Sequence, residues 1–374
     1  MFVPRSIQSN YSFREKLFSM DYILVFAILI LGITSMFAMY STAGGTYDYH
    51  TKSHILRFLV FFLLFFIVSF FNIRFWHQTS TLIYLFFFLL LLGVKYFGLT
   101  SSGSQRWINF YFMNLQPSEL MKIGVILFLA KYYGRIQTSD VNQVRHLFLP
   151  IASLMAPVLL VVTQPDLGTS ILIAAGGSVV IWLAGVRIKF FAYFAIIFIS
   201  VLPIAISFLK PYQKARILTF LNPDRDPLGA GYQIIQSKIA IGSGGLFGKG
   251  FLNGSQSYLD FLPEKHTDFI FTLFSEEFGF LGSTFILLLY TLIIYRLVAI
   301  GNETRSNFGK LYCYGFSTAF FIYVVVNMGM VLGLLPIVGA PLPIMSYGGS
   351  SMLSIMFGLG IAMSCRIYKD EVVN

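Results

Sequence analysis

Apolar residues fill long stretches of this chain, and charged residues interrupt them mainly at the ends. The segments 22–40, 146–165, 167–186 and 190–209 each contain 19 or 20 residues without Asp, Glu, Lys or Arg. A helix needs about 20 residues to cross the hydrocarbon core of a bilayer. The segment 311–365 adds 55 uncharged residues, enough for two crossings and a connection. The pattern therefore predicts a polytopic membrane protein.

Ten membrane-spanning helices account for these runs and for the shorter apolar stretches between them. The predicted spans lie near 21–41, 55–72, 79–97, 117–133, 147–164, 167–186, 190–209, 269–296, 311–333 and 349–366. The second is short, and the fourth carries Glu119 and Lys122. The first run lacks the small-residue cleavage site of a signal peptide, so we expect a permanent helix. The sequence thus indicates an all-α integral membrane protein with one domain, 1–374, and a long outer loop over 210–266.

The basic residues predict which helix ends face the cytoplasm. With ten spans, 14 Lys and Arg fall on the side of the termini and 12 on the other side. Seven of these 12 lie in the 210–266 loop, which is near the length at which the positive-inside rule stops applying. Without that loop the count is 14 against 5, so both termini are expected in the cytoplasm. The net charge of +10 suits anionic lipid surfaces, and no soluble domain is predicted that could bind nucleic acid.

Three acidic residues are predicted at helix starts on the outer side. Glu119 and Asp166 each follow a Gln-Pro pair, where proline suits the first helical position and an acid suits the next turn. Thr267 can cap the eighth span, with Asp268 in its first turn. Taken singly, each acid is explained by the helix dipole, worth about 0.3–1 kcal/mol. Taken together, and with Lys122 on the same helix side as Glu119, they favour a functional cavity, because ionisable groups at membrane depth usually face one.

Basic and glycine-rich segments are predicted on the same side. Arg106 lies beside Trp107 in the outer loop SSGSQRWINF. There it can bind a phosphate bidentately or serve as an interfacial anchor with its aromatic neighbour. The segment IGSGGLFGKGFLNG has six glycines between 242 and 254, around Lys249. Its backbone N–H groups can point at a pyrophosphate, or the segment can be a flexible turn.

The longest apolar run is interrupted by LLPIVGAPLPIMSYGGSS, residues 334–351, which contains three prolines and three glycines. Irregular backbone at membrane depth is tolerated only where protein buries it or water reaches it. We expect this segment to line the outer cavity, with Ser350 and Ser351 at the start of the last helix. An ordinary loop is the alternative.

Two groups of acids offer only weak metal signals. Asp224 and Asp226 form a D-x-D in NPDRDP, but nucleotide sugars are cytosolic and this loop is expected outside, so a proline-bounded turn is favoured. His266 with Glu264 and Asp268 shows no tight ligand spacing. The sequence therefore defines no metal ligand set.

Five segments together resemble the SEDS family of bacterial cell-wall polymerases. They are SGSQRWINF, QPSELMK, QPDLGTS, GLFGKGFLNGSQSYLDFLPEKHTDFIF and LPIVGAPLPIMSYGGSS. The resemblance runs from the first helix to the last. The fourth segment and the short N-terminal tail are more similar to the branch that acts in cell elongation than to the division branch. Ser104 and Ser255 stand where alanine and threonine are common in the family.

The resemblance implies a ten-helix fold and a glycosyltransferase that polymerises lipid II into peptidoglycan outside the bacterial cytoplasmic (inner) membrane. It implies that Asp268 is the essential acid. The residues implied to line its cavity are Glu119, Lys122, Asp166, Ser350 and Ser351. A divalent cation, Mg²⁺ or Mn²⁺, is also implied, with no organic cofactor. The implied partners are lipid II, the growing lipid-linked glycan, a class B penicillin-binding transpeptidase and other membrane proteins of the elongation complex.

The residues suit that chemistry. Joining two lipid II units needs a base for the attacking sugar hydroxyl, and the α donor linkage becomes a β linkage in a single inverting displacement. The pyrophosphate leaves readily if its charge is neutralised. We therefore expect Asp268 to be the general base, with Arg106, Lys122 or Lys249 stabilising the pyrophosphate.

Two other functions remain open at the level of sequence. A flippase that moves lipid II outward would also carry intramembrane charges and a broken helix. It should, however, show charges across the midplane, whereas the predicted ones gather at one face. A scaffold that only recruits a transpeptidase would tolerate Asp268→Asn.

Overall fold

The structure is a computed structural model that describes residues 11–101, 104–110, 113–137, 139–164, 166–207, 214, 218–220, 222, 229–255 and 264–373. Asp224, Asp226 and much of the 210–266 loop lie outside the described residues. Almost all regular structure in the described part is helical, which confirms the predicted all-α membrane fold.

Twelve helices have described bounds. They are α1 (Phe13–Phe18), α2 (Tyr22–Thr42), α3 (Tyr49–Phe70), α4 (Ile73–Phe97), α5 (Pro117–Gly134), α6 (Val144–Thr163), α7 (Leu167–Leu183), α8 (Ile188–Ser207), α9 (Ala230–Ser243), α10 (Ile270–Glu303), α11 (Asn307–Val331) and α12 (Gly349–Ile367). By length and composition, α2, α3, α4, α6, α10, α11 and α12 can each cross a membrane. α7 is apolar but has only 17 residues. The chain is a multi-pass membrane protein.

Polar caps set the starts of the first long helices. Asp21, Asp48 and Asn72 are the N-cap residues of α2, α3 and α4, and each side chain accepts a hydrogen bond from a first-turn N–H. As a result α3 begins at Tyr49 and α4 at Ile73, six residues before the apolar windows 55–72 and 79–97. Hydropathy marks where a segment becomes apolar, whereas the cap marks where the helix begins.

A small antiparallel sheet lies between α4 and α5, where the sequence predicted a loop. Its strands are β1 (Leu99–Ser101), β2 (Ser104–Phe110) and β3 (Met113–Leu115), with β2 in the middle. Ile108 pairs with Leu115, and Leu99 pairs with Trp107. The sheet fixes the backbone of Arg106 directly before α5 instead of leaving it in an irregular segment.

The structure differs from the sequence prediction both in the loop before the eighth predicted span and within that span. The outer loop contains the helix α9, which packs on α10. α10 itself is broken at Gly279, which has φ 63° and ψ −158°. A side chain there would be strained, and its Cβ would lie 2.3 Å from the backbone nitrogen of Gly248. The break therefore lets the glycine-rich loop pack directly against the helix backbone.

α5, α11 and α12 form the interior of the bundle. Most residues of α5 and α12 are buried on all sides, so polar side chains on these helices face protein instead of lipid. Large rings such as Tyr312 and Phe316 fill the space between helices, and Gly358 leaves room for the Phe316 ring. The polar start of α5 is consequently held inside the protein, which is why its low hydropathy is compatible with a central position.

Candidate active site

A cavity of about 380 Å³ opens at the end of the bundle where α5, α10 and α12 begin. Its walls come from β2, the starts of α5 and α9, the turn before α10, and the irregular segment between α11 and α12. The lining residues whose polar side chains could bind or react with a ligand are Arg106, Glu119, Glu264, Asp268, Tyr347 and Ser351. The segment 334–351 thus lines this cavity, and Ser351 is among its lining residues.

Asp268 lies in a turn, residues 264–269, directly before α10. Thr267 does not cap the helix, contrary to the sequence prediction. The N-cap position belongs to Phe269, which has no side-chain capping bond, and the Thr267 hydroxyl instead donates to the Glu264 carboxylate at 2.8 Å. Asp268 therefore precedes the first turn, and its partly exposed side chain borders the cavity.

The turn that carries Asp268 is held by its backbone. The carbonyl oxygens of residues 266–268 each accept a hydrogen bond from a later part of the chain. In the same order, the donors are the Tyr347 N–H at 2.8 Å, the Ser346 hydroxyl at 2.6 Å and the Asn327 side-chain amide at 3.0 Å. Three consecutive bonds fix the course of this turn, so the Asp268 side chain leaves a defined point of the cavity wall.

A histidine pair supports the same turn from the other side. The His266 ring stacks on His50 with 4.8 Å between centroids, and its Nδ1 lies 2.9 Å from the Thr42 hydroxyl. Asp48, the N-cap of α3, is nearby. Burial raises the pKa of Asp48, but hydrogen bonds from Thr51 and the two histidines together outweigh it and hold the pKa below its ordinary value. An ionised carboxylate beside the histidines helps to fix the α2–α3 connection against the turn.

Arg106 reaches the cavity from the central strand and is oriented by Asp166. Its Nε lies 3.6 Å from Asp166 Oδ2. The same carboxylate accepts from Thr169 N–H at 3.1 Å and Oγ1 at 2.8 Å, and from the Gln116 amide at 3.1 Å. Asp166 is thus the N-cap of α7 and not part of its first turn. Capping therefore accounts for Asp166, which is not among the residues that line the cavity and contacts one that is, Arg106.

Glu119 and Lys122 form a buried pair with a tyrosine that hydropathy did not indicate. Lys122 Nζ lies 2.9 Å from Glu119 Oε2 and donates to the Tyr323 hydroxyl at 2.5 Å. That hydroxyl donates to Glu119 Oε1 at 2.6 Å. Glu119 borders the cavity, whereas Lys122 is not among its lining residues. Lys122 therefore contacts a residue that lines the cavity, Glu119, and does not line the cavity itself.

The two serines have different positions. The Ser350 hydroxyl accepts from the Gln116 N–H at 2.8 Å and donates to the Asn114 carbonyl at 2.9 Å, so it ties α12 to the start of α5. Ser351 borders the cavity. Among the two, only Ser351 is placed to meet a ligand there.

The structure does not bring Lys249 to this cavity. Its Nζ lies 2.5 Å from the buried Glu276 Oε1 and 2.9 Å from the Ser255 hydroxyl. The backbone N–H groups of Lys249 and Gly250 donate to the carbonyls of Glu276 and Glu277, each at 3.0 Å. These two N–H groups of the glycine-rich loop therefore bond to the broken helix α10 and are not directed at a ligand.

The described side chains do not fit a resident metal ion. No group of three His, Cys, Asp or Glu in the described ranges is close enough to hold one. Near the cavity, the Glu119 carboxylate pairs with Lys122 and the Asp166 carboxylate pairs with Arg106. These two carboxylates are thus engaged with cations of the chain itself.

Sequence reasoning missed the uncharged polar residues that organise the site. Asn327, Tyr323 and Ser346 all lie in the 55-residue uncharged run. Its hydropathy predicted helices and its prolines and glycines predicted an irregular segment, but these three side chains were given no role. These residues could have been noticed because they carry amide and hydroxyl groups at membrane depth, where each such group needs a hydrogen-bond partner. Gln116 was visible as part of a Gln-Pro pair, but its contact with Asp166 is long-range.

The cavity combines a carboxylate that can accept a proton with a guanidinium that can bind an anion. Asp268 comes from the turn before α10 and Arg106 from β2, so the two groups approach the same space from different elements. Neutral polar residues, among them Ser351, line the same cavity. This arrangement suits a polar, negatively charged ligand that reacts at a hydroxyl group.

Known proteins of the same architecture were found by structure comparison. A solved structure described as "Structural coordination of polymerization and crosslinking by a peptidoglycan synthase complex" superposes with a TM-score of 0.79 at 30% identity, over 93% of this chain and 97% of that chain. The crystal structure of Thermus thermophilus rod shape determining protein RodA gives a TM-score of 0.71 at 26% identity, over 95% of this chain and 98% of that chain.

Sequence comparison leads to the same group of proteins. The peptidoglycan glycosyltransferase MrdB of Escherichia coli (strain K12) is 44% identical over 290 residues, 77% of each chain. Stage V sporulation protein E of Bacillus subtilis (strain 168) is 35% identical over 361 residues, 94% of this chain and 98% of the relative. The family profile for FtsW, RodA and SpoVE, described as cell cycle proteins, matches residues 15–371. The resemblance to the SEDS polymerases is therefore confirmed, and the chain belongs to the FtsW/RodA/SpoVE family.

Proposed function

We propose that this chain is a peptidoglycan glycosyltransferase that polymerises lipid II into glycan strands during cell elongation. The observation that carries the proposal is the placement of Asp268 and Arg106 in the walls of one cavity at the end of the bundle. The name of the 44% identical relative, peptidoglycan glycosyltransferase MrdB, supports the reaction class. The cavity opens at a helix end, where a lipid-borne sugar can be presented.

In the proposed reaction, Asp268 takes the proton from the attacking sugar hydroxyl as that oxygen bonds to the anomeric carbon of the second substrate. The bond from this carbon to the polyprenyl pyrophosphate breaks, so its configuration inverts. General-base catalysis of this kind contributes about 10²–10⁴-fold. Arg106, oriented by Asp166, neutralises the charge of the departing pyrophosphate. Ser351 and Glu119 line the same cavity as the base and the guanidinium.

The role proposed for a divalent cation is limited by the side chains. We propose that the Mg²⁺ or Mn²⁺ implied by the family enters with the pyrophosphate, since Mg²⁺ is commonly bound by substrate phosphates and one or two carboxylates. Within the described residues no three-ligand cluster holds such an ion. The roles given to Asp268 and Arg106 do not depend on it.

The proposed setting is the cytoplasmic (inner) membrane, with both termini in the cytoplasm and the cavity at the periplasmic face. The proposed partners are a class B penicillin-binding transpeptidase and other membrane proteins of the elongation complex. The structural neighbour at a TM-score of 0.79 is described as part of a peptidoglycan synthase complex that coordinates polymerization and crosslinking, which supports a crosslinking partner.

The distribution of charge within the helices favours a polymerase over a flippase. The charged residues of the described helices lie towards one end or the other. Near the cavity end are Arg57, Glu119, Lys122, Glu276 and Glu277, and towards the other end are Lys131, Arg296 and Glu303. A path for a pyrophosphate across the whole membrane would need polar groups between these two sets.

The decisive experiment is polymerisation of lipid II by purified protein in detergent, where no membrane separates two compartments. We expect Asp268→Asn to bind lipid II but to lose polymerisation by at least about 10²-fold. Asp370→Asn is the control, because it removes one carboxylate charge at an exposed position outside the cavity. It should retain most of the activity. Continued polymer synthesis by Asp268→Asn would refute the general-base role.

A further inference from the structure

A second polar cavity, of about 340 Å³, lies between α4, α5 and α6 at the end of the bundle opposite the active site. α5 begins at the active-site cavity with Pro117, and its 18 residues span about 27 Å. The second cavity lies at the end of that helix. Its principal lining residues are Thr81, Phe128, Lys131, Arg135, His146 and Leu149. It is therefore separate from the active-site cavity.

The lining of this cavity is basic. Lys131, Arg135 and His146 contribute to it, and none of the described residues that line it is acidic. Lys131 Nζ donates to the Gln78 carbonyl at 3.0 Å and to the Thr81 hydroxyl at 3.1 Å, both of which are neutral. These two bonds orient the ammonium group without neutralising it. The cavity thus keeps at least two positive charges.

The arginine of the cavity differs from several others at the same end of the molecule. Four of those arginines form ion pairs within the chain. The described pairs are Arg74 with Glu371, Arg296 with Asp21, Arg305 with Asp370 and Arg366 with Glu303. The charges of Lys131 and Arg135 are consequently available to an anion from outside the chain.

The start of α6 strengthens the preference for an anion. His146 lies in the first turn of this helix, which begins at Val144, and the N-cap residue Gln143 makes no side-chain capping bond. The positive end of the helix dipole therefore faces the same region. Two cationic side chains, a histidine and a helix start converge there.

The cavity is also continuous with apolar surface. Phe128 and Leu149 form part of its wall, and Leu149 is 48% exposed. Phe148, next along α6, is 76% exposed. In a membrane protein such side chains face lipid tails. An occupant of matching chemistry carries a phosphate at one end and hydrocarbon chains at the other.

We propose that this cavity binds the headgroup of an anionic phospholipid from the leaflet on the side of the chain termini. The phosphate lies between Lys131, Arg135 and His146, and the acyl chains follow Phe128 and Leu149 towards the bilayer. Basic pockets between transmembrane helices at the cytoplasmic side are a known form of lipid site in membrane proteins. The site is independent of the polymerisation chemistry proposed above.

The test is mass spectrometry of the intact full-length protein in detergent, titrated in turn with phosphatidylglycerol, phosphatidylcholine and inorganic phosphate. Phosphatidylglycerol should bind in preference to phosphatidylcholine, and inorganic phosphate should not displace it at equal concentration. The double variant Lys131→Gln/Arg135→Gln should lower the affinity for phosphatidylglycerol about tenfold or more and abolish the preference. The swap Lys131→Arg/Arg135→Lys keeps both charges and should keep the preference, which separates loss of charge from loss of folding.

The matched control is Arg187→Gln/Lys189→Gln, which removes two charges at exposed positions that do not line the cavity. It should bind phosphatidylglycerol as the unmodified protein does. An equal loss in this control would overturn the proposal in favour of a general charge effect. Equal binding of phosphatidylcholine, or displacement by inorganic phosphate, would overturn it in favour of an apolar groove or a soluble-anion site. Unchanged binding by Lys131→Gln/Arg135→Gln would overturn it outright.

Discussion

Asn327 is a fully buried amide on α11 that connects two walls of the active-site cavity. Its side chain donates to the carbonyls of Asp268 at 3.0 Å and Ala340 at 2.7 Å. The amide therefore fixes the backbone of the proposed base relative to the irregular segment that follows α11. Because catalysis depends on the placement of the carboxylate, a residue that does not line the cavity can still set the rate.

We predict that Asn327→Ala lowers kcat for lipid II polymerisation about tenfold while KM changes little. The substitution removes one donor from each of two carbonyls, and a lost buried hydrogen-bond partner costs about 1–3 kcal/mol. Steady-state kinetics of the purified variant would check this. Asn302→Ala, at an exposed asparagine on the other end of α10, is the control and should have wild-type kinetics. Unaltered kcat in Asn327→Ala would show that the amide does not position Asp268.

At this scale, charge was the informative signal in the sequence. Glu119, Asp166 and Asp268 could be selected because a carboxylate in an apolar chain is costly unless it is used. Asn327 and Tyr323 could not be selected in the same way. They are uncharged, and their partners are distant in sequence, so their roles depend on contacts that no local pattern contains.

At the scale of elements, α10 and the glycine-rich loop form one unit. The loop backbone inserts at the break at Gly279, and Lys249 pairs with Glu276, whose side chain is fully buried. The sequence predicted Lys249 as a pyrophosphate ligand, and that role stays a prediction. The contact between Lys249 and Glu276 indicates that Lys249 neutralises a buried acid.

We predict that Lys249→Met lowers the free energy of unfolding by about 1–3 kcal/mol, because it leaves the Glu276 carboxylate buried without its cation. The double variant Lys249→Met/Glu276→Gln should recover most of this loss and retain polymerisation. Thermal unfolding in detergent and the lipid II assay would measure the two quantities. A stable but inactive double variant would instead support direct contact of Lys249 with pyrophosphate.

The elements themselves were mostly predictable, but their ends were not. Apolar runs located the helices, because burial in lipid demands uncharged side chains over a fixed length. α3 and α4 begin six residues early because Asp48 and Asn72 cap them outside the apolar window. The sheet that carries Arg106 was missed because three strands of seven residues or fewer stabilise one another through pairing, and not through a pattern in any one of them.

At the scale of the whole molecule, the asymmetric distribution of basic residues predicts the orientation in the membrane. The active-site cavity lies at the end of the bundle that carries the α2–α3 connection, and the proposed lipid site lies at the other end. The positive-inside rule predicts that the second end is cytoplasmic. This orientation can be tested without reference to activity.

We predict that a membrane-impermeant maleimide labels Thr46→Cys in intact cells and labels Ser139→Cys only after the membrane is broken. Thr46 lies in the exposed α2–α3 connection, and Ser139 lies in the exposed connection between α5 and α6. The natural cysteines, Cys313 and Cys365, are buried and give a low background. Labelling of Ser139→Cys in intact cells would place the Asp268 cavity in the cytoplasm and exclude a periplasmic polymerase.

The sequence by itself determined the membrane class, the approximate helices, the family and the acids that carry the proposed chemistry. Each of these follows from local composition or from motifs that are contiguous in the chain. The tertiary structure decided which charges share a cavity. It placed Arg106 with Asp268, directed Lys249 to Glu276, and left Lys131 and Arg135 together in a second cavity. These assignments depend on distances between separate helices, and such distances are set by packing and long-range hydrogen bonds, not by neighbours along the chain.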